Sequence, residues 1–295
     1  MKKKYWLLFW IIFAASVIWN IYWNSNIVVH TYVHSGEEVP ESFSGYRIVQ
    51  LTDIHSVRSE EQGQLIYEKT MAGQPDVICI TGDLVDSKYY ADHGVDGEAL
   101  TLELMKKLVE LAPVYYVYGN HEMILLDDPE KNAFKVAVEE LGVHIINNEV
   151  TAFSLGNNGE RIYIAGIQDP STLYKDPKYA YYDTNTERME AMSDDVMEGI
   201  EEEDFLLLLS HRPEYLELYD QYEVDLCLSG HAHGGQFRIP FVGGVYAPGQ
   251  GFWPKYTVGV YETEDMEMYV GTGIGNSVIP VRVFNPPEIL TIVLE

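Results

Sequence analysis

Five short apolar runs in this chain each break off at a side chain able to bind a cation. That repeated coupling limits the folds open to the chain more than any other feature. The runs and their endings are Tyr46-Arg-Ile-Val-Gln-Leu-Thr-Asp53-Ile-His55, Asp76-Val-Ile-Cys-Ile-Thr-Gly-Asp83, Val114-Tyr-Tyr-Val-Tyr-Gly-Asn120-His121, Phe205-Leu-Leu-Leu-Leu-Ser-His211 and Val224-Asp-Leu-Cys-Leu-Ser-Gly-His231-Ala-His233. Nearly continuous apolar runs of this length mark strands buried on both faces, as in a sheet covered by helices. Side chains at i and i+2 of a strand share a face, so Asp53 with His55, and His231 with His233, can converge on one point. Five of the nine histidines fall in these endings. Scattered core or surface histidines would not gather at strand C-termini, which is where α/β sheets build their sites.

Each ending taken alone is ordinary. An Asp-x-His pair arises often by chance, Gly82-Asp83 is a common turn pair, and Asn is an unusual ligand. In Gly119-Asn120-His121-Glu122 the Asn-His pair reads as one ligand and one acid. Together the endings offer oxygen and nitrogen donors without Cys, which suits Mn, Fe or Zn. Seven ligands (Asp53, His55, Asp83, Asn120, His211, His231 and His233) exceed the needs of one ion. They suit two ions about 3.5–4 Å apart that share a bridging carboxylate.

Ahead of these runs, Tyr5 to Trp23 is almost wholly apolar, with Asn20 its one strongly polar interruption. Nineteen residues at 1.5 Å each come close to the ~30 Å hydrocarbon thickness of a bilayer. Tyr5, Trp6, Trp19, Tyr22 and Trp23 cluster at its ends as an interfacial belt would. Lys2, Lys3 and Lys4 precede it and no basic residue follows soon, which places the N-terminus in the cytoplasm and the body outside. No small-x-small cleavage site follows the run, and Ala14-Ala15 falls in its middle, so an uncleaved signal anchor is expected over residues 1–24. Residues 25–45 read as a lead-in strand (Ile27–Val33) and a polar linker, and residues 46–295 as the catalytic domain.

The formal net charge is −27. Setting the three leading lysines aside leaves 16 basic residues against 46 acidic ones, a charge of −30. Such a body repels polyphosphate backbones, so no nucleic-acid partner is expected. Cys79 and Cys227 lie inside strand-like runs and read as buried free thiols. His30, His34 and His144 stand apart from other ligand types; His144 alternates with apolar neighbours and is expected in the core.

Between the strand ends, Ser59–Gly73 reads as a helix with Ser59 as its N-cap. Asp96–Leu111 and Pro129–Leu141 read as further helices, and His144–Asn148 and Arg161–Ile167 as strands. Asp169–Asn185 has no clear period, and Glu187–Glu203 reads as an acidic helix with a solvated face. Pro213 opens a short helix. Gly243–Tyr256 is an aromatic, Gly/Pro-rich loop suited to a lid or pocket rim. Strands are expected over Tyr256–Glu262, Met266–Thr272 and Glu288–Leu294. Gly271-Thr-Gly273-Ile-Gly275 does not fit G-x-G-x-x-G and is given no nucleotide role.

Asp-x-His, Gly-Asp-x-x-Asp, Gly-Asn-His-Glu, a lone strand-end His and Gly-His-x-His follow one another in an order and spacing that resembles the calcineurin-like metallophosphoesterases. The Gly-His-Ala-His-Gly-Gly-Gln run, the apolar N-terminus and the ending Ile279-Pro-Val-Arg…Pro286-Pro287-Glu288-Ile289 look like the membrane-anchored bacterial branch. The resemblance implies an α/β (α+β) fold of four layers, two mixed β-sheets sandwiched and flanked by helices. It implies that Asp53, His55 and His233 hold one divalent metal, that Asn120, His211 and His231 hold a second, and that Asp83 bridges them. It implies further that His121 faces the leaving-group oxygen and that Asp86 orients it.

Two cations lower the pKa of a shared water, so that hydroxide can attack phosphorus in line while His121 protonates the departing alkoxide. The expected activity is phosphoester hydrolysis, with a diester the favoured substrate, at the outer surface of the cell membrane. The anchor points to a lipid- or envelope-linked substrate. Two rivals are a pyrophosphatase acting on a nucleotide-linked lipid precursor and a silent membrane-tethered binding protein. A protein phosphatase ranks last, since no feature selects a phosphoprotein.

Overall fold

Strand residues alternate between two cores, and that alternation builds the layers. In the computed structural model, which describes residues 2–86, 97–125, 132–154, 160–171, 176–198, 200, 205–276 and 281–295, two six-stranded sheets lie face to face. The first runs β1 (Val28–His34), β16 (Glu288–Leu294), β2 (Arg47–Leu51), β3 (Val77–Thr81), β4 (Val114–Val117) and β5 (His144–Ile145). Its neighbours are parallel except for β16 against β2. The second runs β14 (Gly259–Glu262), β15 (Glu267–Val270), β9 (Leu226–Ser229), β8 (Phe205–Ser210), β7 (Arg161–Ile167) and β6 (Glu149–Ser154). It is parallel inside and antiparallel at both edge pairs.

Ile48, Val77, Cys79, Leu207 and Leu209 fill the space between the sheets. Their neighbours Val49, Ile78, Ile80, Leu206 and Leu208 face the helices, as a period of two requires. Cys79 and Cys227 are both buried and free. On the outer face of the first sheet pack α2 (Glu60–Ala72) and α3 (Gly97–Leu111), which bury Ile66, Leu104, Met105 and Leu108. The Ser59 side chain accepts the Gln62 N–H and so caps α2. Two further helices, α4 (Asn120–Leu125) and α5 (Asn132–Glu140), follow β4. The second sheet carries α6 (Asn185–Met197), started by a Thr184/Glu187 capping box.

Several expectations need correcting. The acidic helix is not merely solvated: Met189, Met192 and Val196 are buried against the sheet, because acids fill only its other face. His144 is exposed at the sheet edge, stacked on Tyr115 at 5.0 Å, since β5 has no strand beyond it to cover the ring. Of the expected strand over His144–Asn148 only β5 forms, and residues 146–148 turn the chain toward β6 in the other sheet. Pro213 opens a 3-10 turn that continues into α7 (Leu216–Tyr219). The aromatic loop holds two small ladders, β10 (Arg238–Ile239) with β11 (Gly243–Gly244), and β12 (Tyr246–Ala247) with β13 (Gly251–Phe252). Pro129–Lys131 of one expected helix, residues 199 and 201–204 of another, and Ile279-Pro280 lie outside the described residues.

The N-terminal helix α1 (Lys2–Asn24) is one uninterrupted helix, long and apolar enough to cross a membrane, and its apolar window is not buried in the body. The lead-in strand β1 is the edge of the first sheet, paired with β16 along its whole length.

Candidate metal centre

The backbone itself is contorted where the strands give out. Asp53, His55, Asp83, His231 and His233 all take left-handed conformations, with φ of 49°, 50°, 52°, 62° and 46°. Each costs a non-glycine residue about 1–2 kcal/mol. Such strain persists only where the surroundings over-determine it, and it gathers at functional sites. Here it turns side chains after β2, β3 and β9 back over the same end of the sandwich, where His211 after β8 joins them without such strain.

Three groups of ligand atoms result, two of them built from the expected ligands and a third that joins His55 to Asp86 and His121. In the first, His233 Nε2 lies 3.3 Å from Asp53 Oδ1 and 3.0 Å from His55 Nε2. In the second, His211 Nε2 lies 3.3 Å from Asp83 Oδ2 and 3.1 Å from His231 Nδ1. Asp83 Oδ2 is also 3.8 Å from His55 Nε2, so this carboxylate stands between the groups. His121 sits beside them, its Nε2 3.9 Å from Asp83 Oδ2 and its Nδ1 3.3 Å from Asp86 Oδ1. Asn120 opens α4 with its side-chain oxygen buried.

One side of most groups is fixed by the protein, which leaves the other aimed inward. Asp53 Oδ2 accepts from Thr52 Oγ1 (2.7 Å) and the His231 N–H (3.0 Å). Asp83 Oδ1 accepts the His121 N–H (2.9 Å), and His211 Nδ1 donates to the Thr81 carbonyl (2.7 Å). Outer partners of this kind orient metal ligands and set their tautomers.

Asp53 Oδ1, Asn120 Oδ1 and His231 Nε2 are buried and meet no hydrogen-bond partner among the described residues. A buried polar atom left so costs about 1–3 kcal/mol. Burial holds three of the imidazoles neutral, as ligands must be: His55 is pushed down to about 3, and His231 and His233 well below their ordinary value. Neutral nitrogens crowded against carboxylates and unpaired oxygens fit divalent cations, and the donors suffice for two.

Elsewhere in the cluster charge wins over burial. Burial pulls His211 down, but the Asp83 carboxylate outweighs it and carries the ring up to about 10. Burial would raise Asp83, yet His211 and His121 hold it well below the usual carboxylate range. For His121, burial is overcome by Asp83 and by the bond to Asp86, which lift it to about 9. Burial pushes Asp53 up to about 6.

Sequence reasoning passed over the residues that hold these loops. Buried Glu122 accepts the N–H of Asp83 (2.9 Å), Gly119 (2.9 Å) and Val85 (3.1 Å), tying two ligand loops together. Its place directly after His121 was the available signal. Asn285 Nδ2 donates to the His233 carbonyl (2.7 Å). Arg282, fully buried, donates to the carbonyls of Thr272 (2.8 Å) and Gly275. Gly82, at φ +91°, lets the loop after β3 pass His211, whose Nδ1 would lie 2.5 Å from any Cβ there.

A sandwich of two mixed sheets with this set of Asp, Asn and His donors at its strand ends defines a metal-dependent phosphoric ester hydrolase. The model of the calcineurin-like phosphoesterase family matches residues 46–235, well over half of the chain, and the chain belongs to that family. It is 28% identical to the metallophosphoesterase YkuE of Bacillus subtilis, over 87% of this chain and 82% of that one. It is 26% identical to the phosphodiesterase YaeI of Escherichia coli, over 83% and 80%. It is 27% identical to a zebrafish transmembrane protein with a metallophosphoesterase domain, over 88% of this chain and 55% of that one.

Proposed function

We propose that this chain hydrolyses a phosphodiester with two ions of Mn, Fe or Zn, at the outer face of the cell membrane that α1 crosses. The observation that carries the reading is Asp83 Oδ2, which belongs to the His211/His231 ligand group and lies 3.8 Å from His55 of the Asp53/His233 group, with His121 and Asp86 alongside. Asp53, His55 and His233 would hold one ion, and Asn120, His211 and His231 the other, with Asp83 serving both. When bound, the ions supply a water acidic enough to ionise near neutral pH and neutralise phosphoryl charge.

The chain's own residues do the rest. Asp86 holds His121 Nδ1 and turns Nε2 toward the site, where the protonated ring donates to the leaving oxygen. Cations on Asp83 would weaken its upward pull on His121, bringing the ring from about 9 toward the neutral range that suits a general acid. The diester preference draws on the likeness to the phosphodiesterase YaeI. The lysines before α1 support a cytoplasmic N-terminus, and the anchor favours a lipid- or envelope-linked substrate.

The test uses the full chain in mild detergent, stripped by chelator, given Mn, Fe, Zn or Mg, and offered a chromogenic monoester and a diester beside Asp83→Ala. Metal-dependent diester hydrolysis lost in Asp83→Ala supports the reading. Monoester preference would overturn the diester assignment. Absence of turnover despite two bound ions would favour a pyrophosphatase of narrow scope or a silent binding protein.

A further inference from the structure

We propose that the β10–β13 loops and residues 281–284 form a second membrane-contacting surface, which lays the catalytic body on the bilayer that α1 enters. The proposal rests on the reading of α1 as a membrane anchor and goes beyond it.

The first observation is apolar exposure. Phe241 is fully exposed, Phe252 73%, Val242 64%, Trp253 62%, Phe284 54% and Val281 48%. A contiguous exposed patch of large apolar side chains marks a protein or membrane contact.

The second is continuity with the anchor. Asn20 and Asn24 of α1 each donate to the Arg282 carbonyl at 2.8 Å, and the Phe284 N–H reaches Asn20 Oδ1 at 3.4 Å. The Arg238 N–H then bonds the Val283 carbonyl (2.9 Å), Val245 bonds Phe237 (2.8 Å), and Trp253 bonds Val245 (2.9 Å). Side-chain bonds from Asn20 and Asn24 thus start a path that backbone hydrogen bonds continue to Trp253. Asn20 lies about 6 Å along the helix from Asn24, so residues 282–284 sit at the depth of the last turns of α1. Trp19, Tyr22 and Trp23 mark that depth as the interface.

The third is charge. The chain has 46 Asp and Glu among 295 residues, yet none from Leu226 to Tyr261 and none from Met268 to Pro287. Those stretches supply the whole patch, and of their basic side chains Lys255 is exposed, Arg238 half-buried and Arg282 buried. An acidic side chain there would lose hydration on entering the interface and be repelled by anionic lipid. Among the described residues, the one exposed acid that reaches these loops from another element, Glu217, is matched there by Lys255 at 2.8 Å. Loops of a body of charge −30 thus carry no unmatched negative charge of their own toward a bilayer.

The surface adjoins the metal centre. Arg238 Nη1 donates to the Gly234 carbonyl (2.8 Å), one residue beyond His233, and the Gly235 backbone packs on Gly244. The ligand loop therefore hangs directly behind the membrane-facing surface, placed for a phosphoester whose apolar part stays in the leaflet.

Four of the five tryptophans lie in α1, so Trp253 is the one outside it. The test uses the full chain carrying Trp6→Phe, Trp10→Phe, Trp19→Phe and Trp23→Phe, reconstituted in phosphatidylcholine vesicles. Some of the lipid bears a doxyl group high on the acyl chain. A surface seated in the outer few ångströms of the bilayer predicts blue-shifted Trp253 emission, quenched roughly two-fold by the doxyl lipid and little by iodide. Adding Phe241→Trp with Trp253→Phe moves the reporter to the neighbouring loop and should give the same result. Emission that stays iodide-sensitive in chains that co-float with vesicles overturns the proposal and leaves the anchor intact. Shielding from both quenchers would put a protein on the patch and also overturns it. Chains that do not co-float overturn the anchor and this proposal together.

Discussion

Removing the carboxylate of Glu122 should loosen the metal centre more than removing a ligand would, although Glu122 binds no ion in this account. Its two oxygens accept three backbone N–H groups, from Asp83, Gly119 and Val85. Glu122→Ala strands all three in a buried setting, at about 1–3 kcal/mol each. Even the low end, about 3 kcal/mol, is a large part of the 5–15 kcal/mol typical of a folded protein. Glu122→Gln separates this explanation from mere loss of volume. The amide oxygen can keep the Asp83 and Gly119 bonds, but the NH2 group then faces the Val85 N–H, so one donor is stranded and the cost is about 1–3 kcal/mol. The assay is urea unfolding of the full chain in detergent with chelator present, so that metal binding does not mask the difference. The expected order of stability is wild type, then Gln, then Ala. Reloaded with metal, Glu122→Ala should also lose turnover, because the loops bearing Asp83 and His121 are no longer tied. An alanine variant within about 1 kcal/mol of wild type, or a glutamine variant as unstable as alanine, would refute the reasoning.

Two further outcomes follow from the site and its surroundings. His121→Ala should retain its metal content and lose about 10²–10⁴-fold in kcat, the usual worth of a positioned proton donor; unchanged kcat would remove His121 from the chemistry. Burial pushes the Asp225 carboxyl up to about 6 from 3.8, so between those values the folded chain holds more proton than the unfolded one. Stability from this group therefore falls as pH rises through that window. Asp225→Asn, which keeps an acceptor for the Leu206 N–H (2.6 Å), should match wild type near pH 4 and exceed its Tm above pH 6. Equal Tm values across the window would contradict this.

The sequence exposes the centre because metal chemistry needs rare side chains at fixed places. Asp53, His55, Asp83, His211, His231 and His233 could be read as a set because apolar strands deliver them, and the folded chain gathers them into two groups of three that meet where His55 lies 3.8 Å from Asp83. Local signals served as well where they are strong: Ser59 caps α2 as its spacing with Gln62 foretold. What stayed hidden has no sequence period. The two-residue strands β10 to β13 are too short to alternate, so their loop read only as aromatic and Gly/Pro-rich. Gly273 and Gly275 matched no nucleotide motif, and their use shows only in three dimensions, where they let the chain pass against Asp53 and Ile54. Glu122 reaches the Asp83 and Val85 N–H groups nearly forty residues back, and Arg282 acts through loop carbonyls, and no spacing rule marks such partners. His144 misled because alternation identifies a strand without telling whether another strand covers it.

The most direct test counts ions. Full chain stripped by chelator and reloaded with Mn, then freed of excess metal, should carry two ions per chain by elemental analysis, as the Asp53/His55/His233 and Asp83/His211/His231 groups together with Asn120 would allow. His233→Ala should lower the count toward one, and Asp83→Ala should lower it further, because that carboxylate serves both groups. A wild-type chain that holds no ion, or an Asp83→Ala chain that still holds two, would contradict the account.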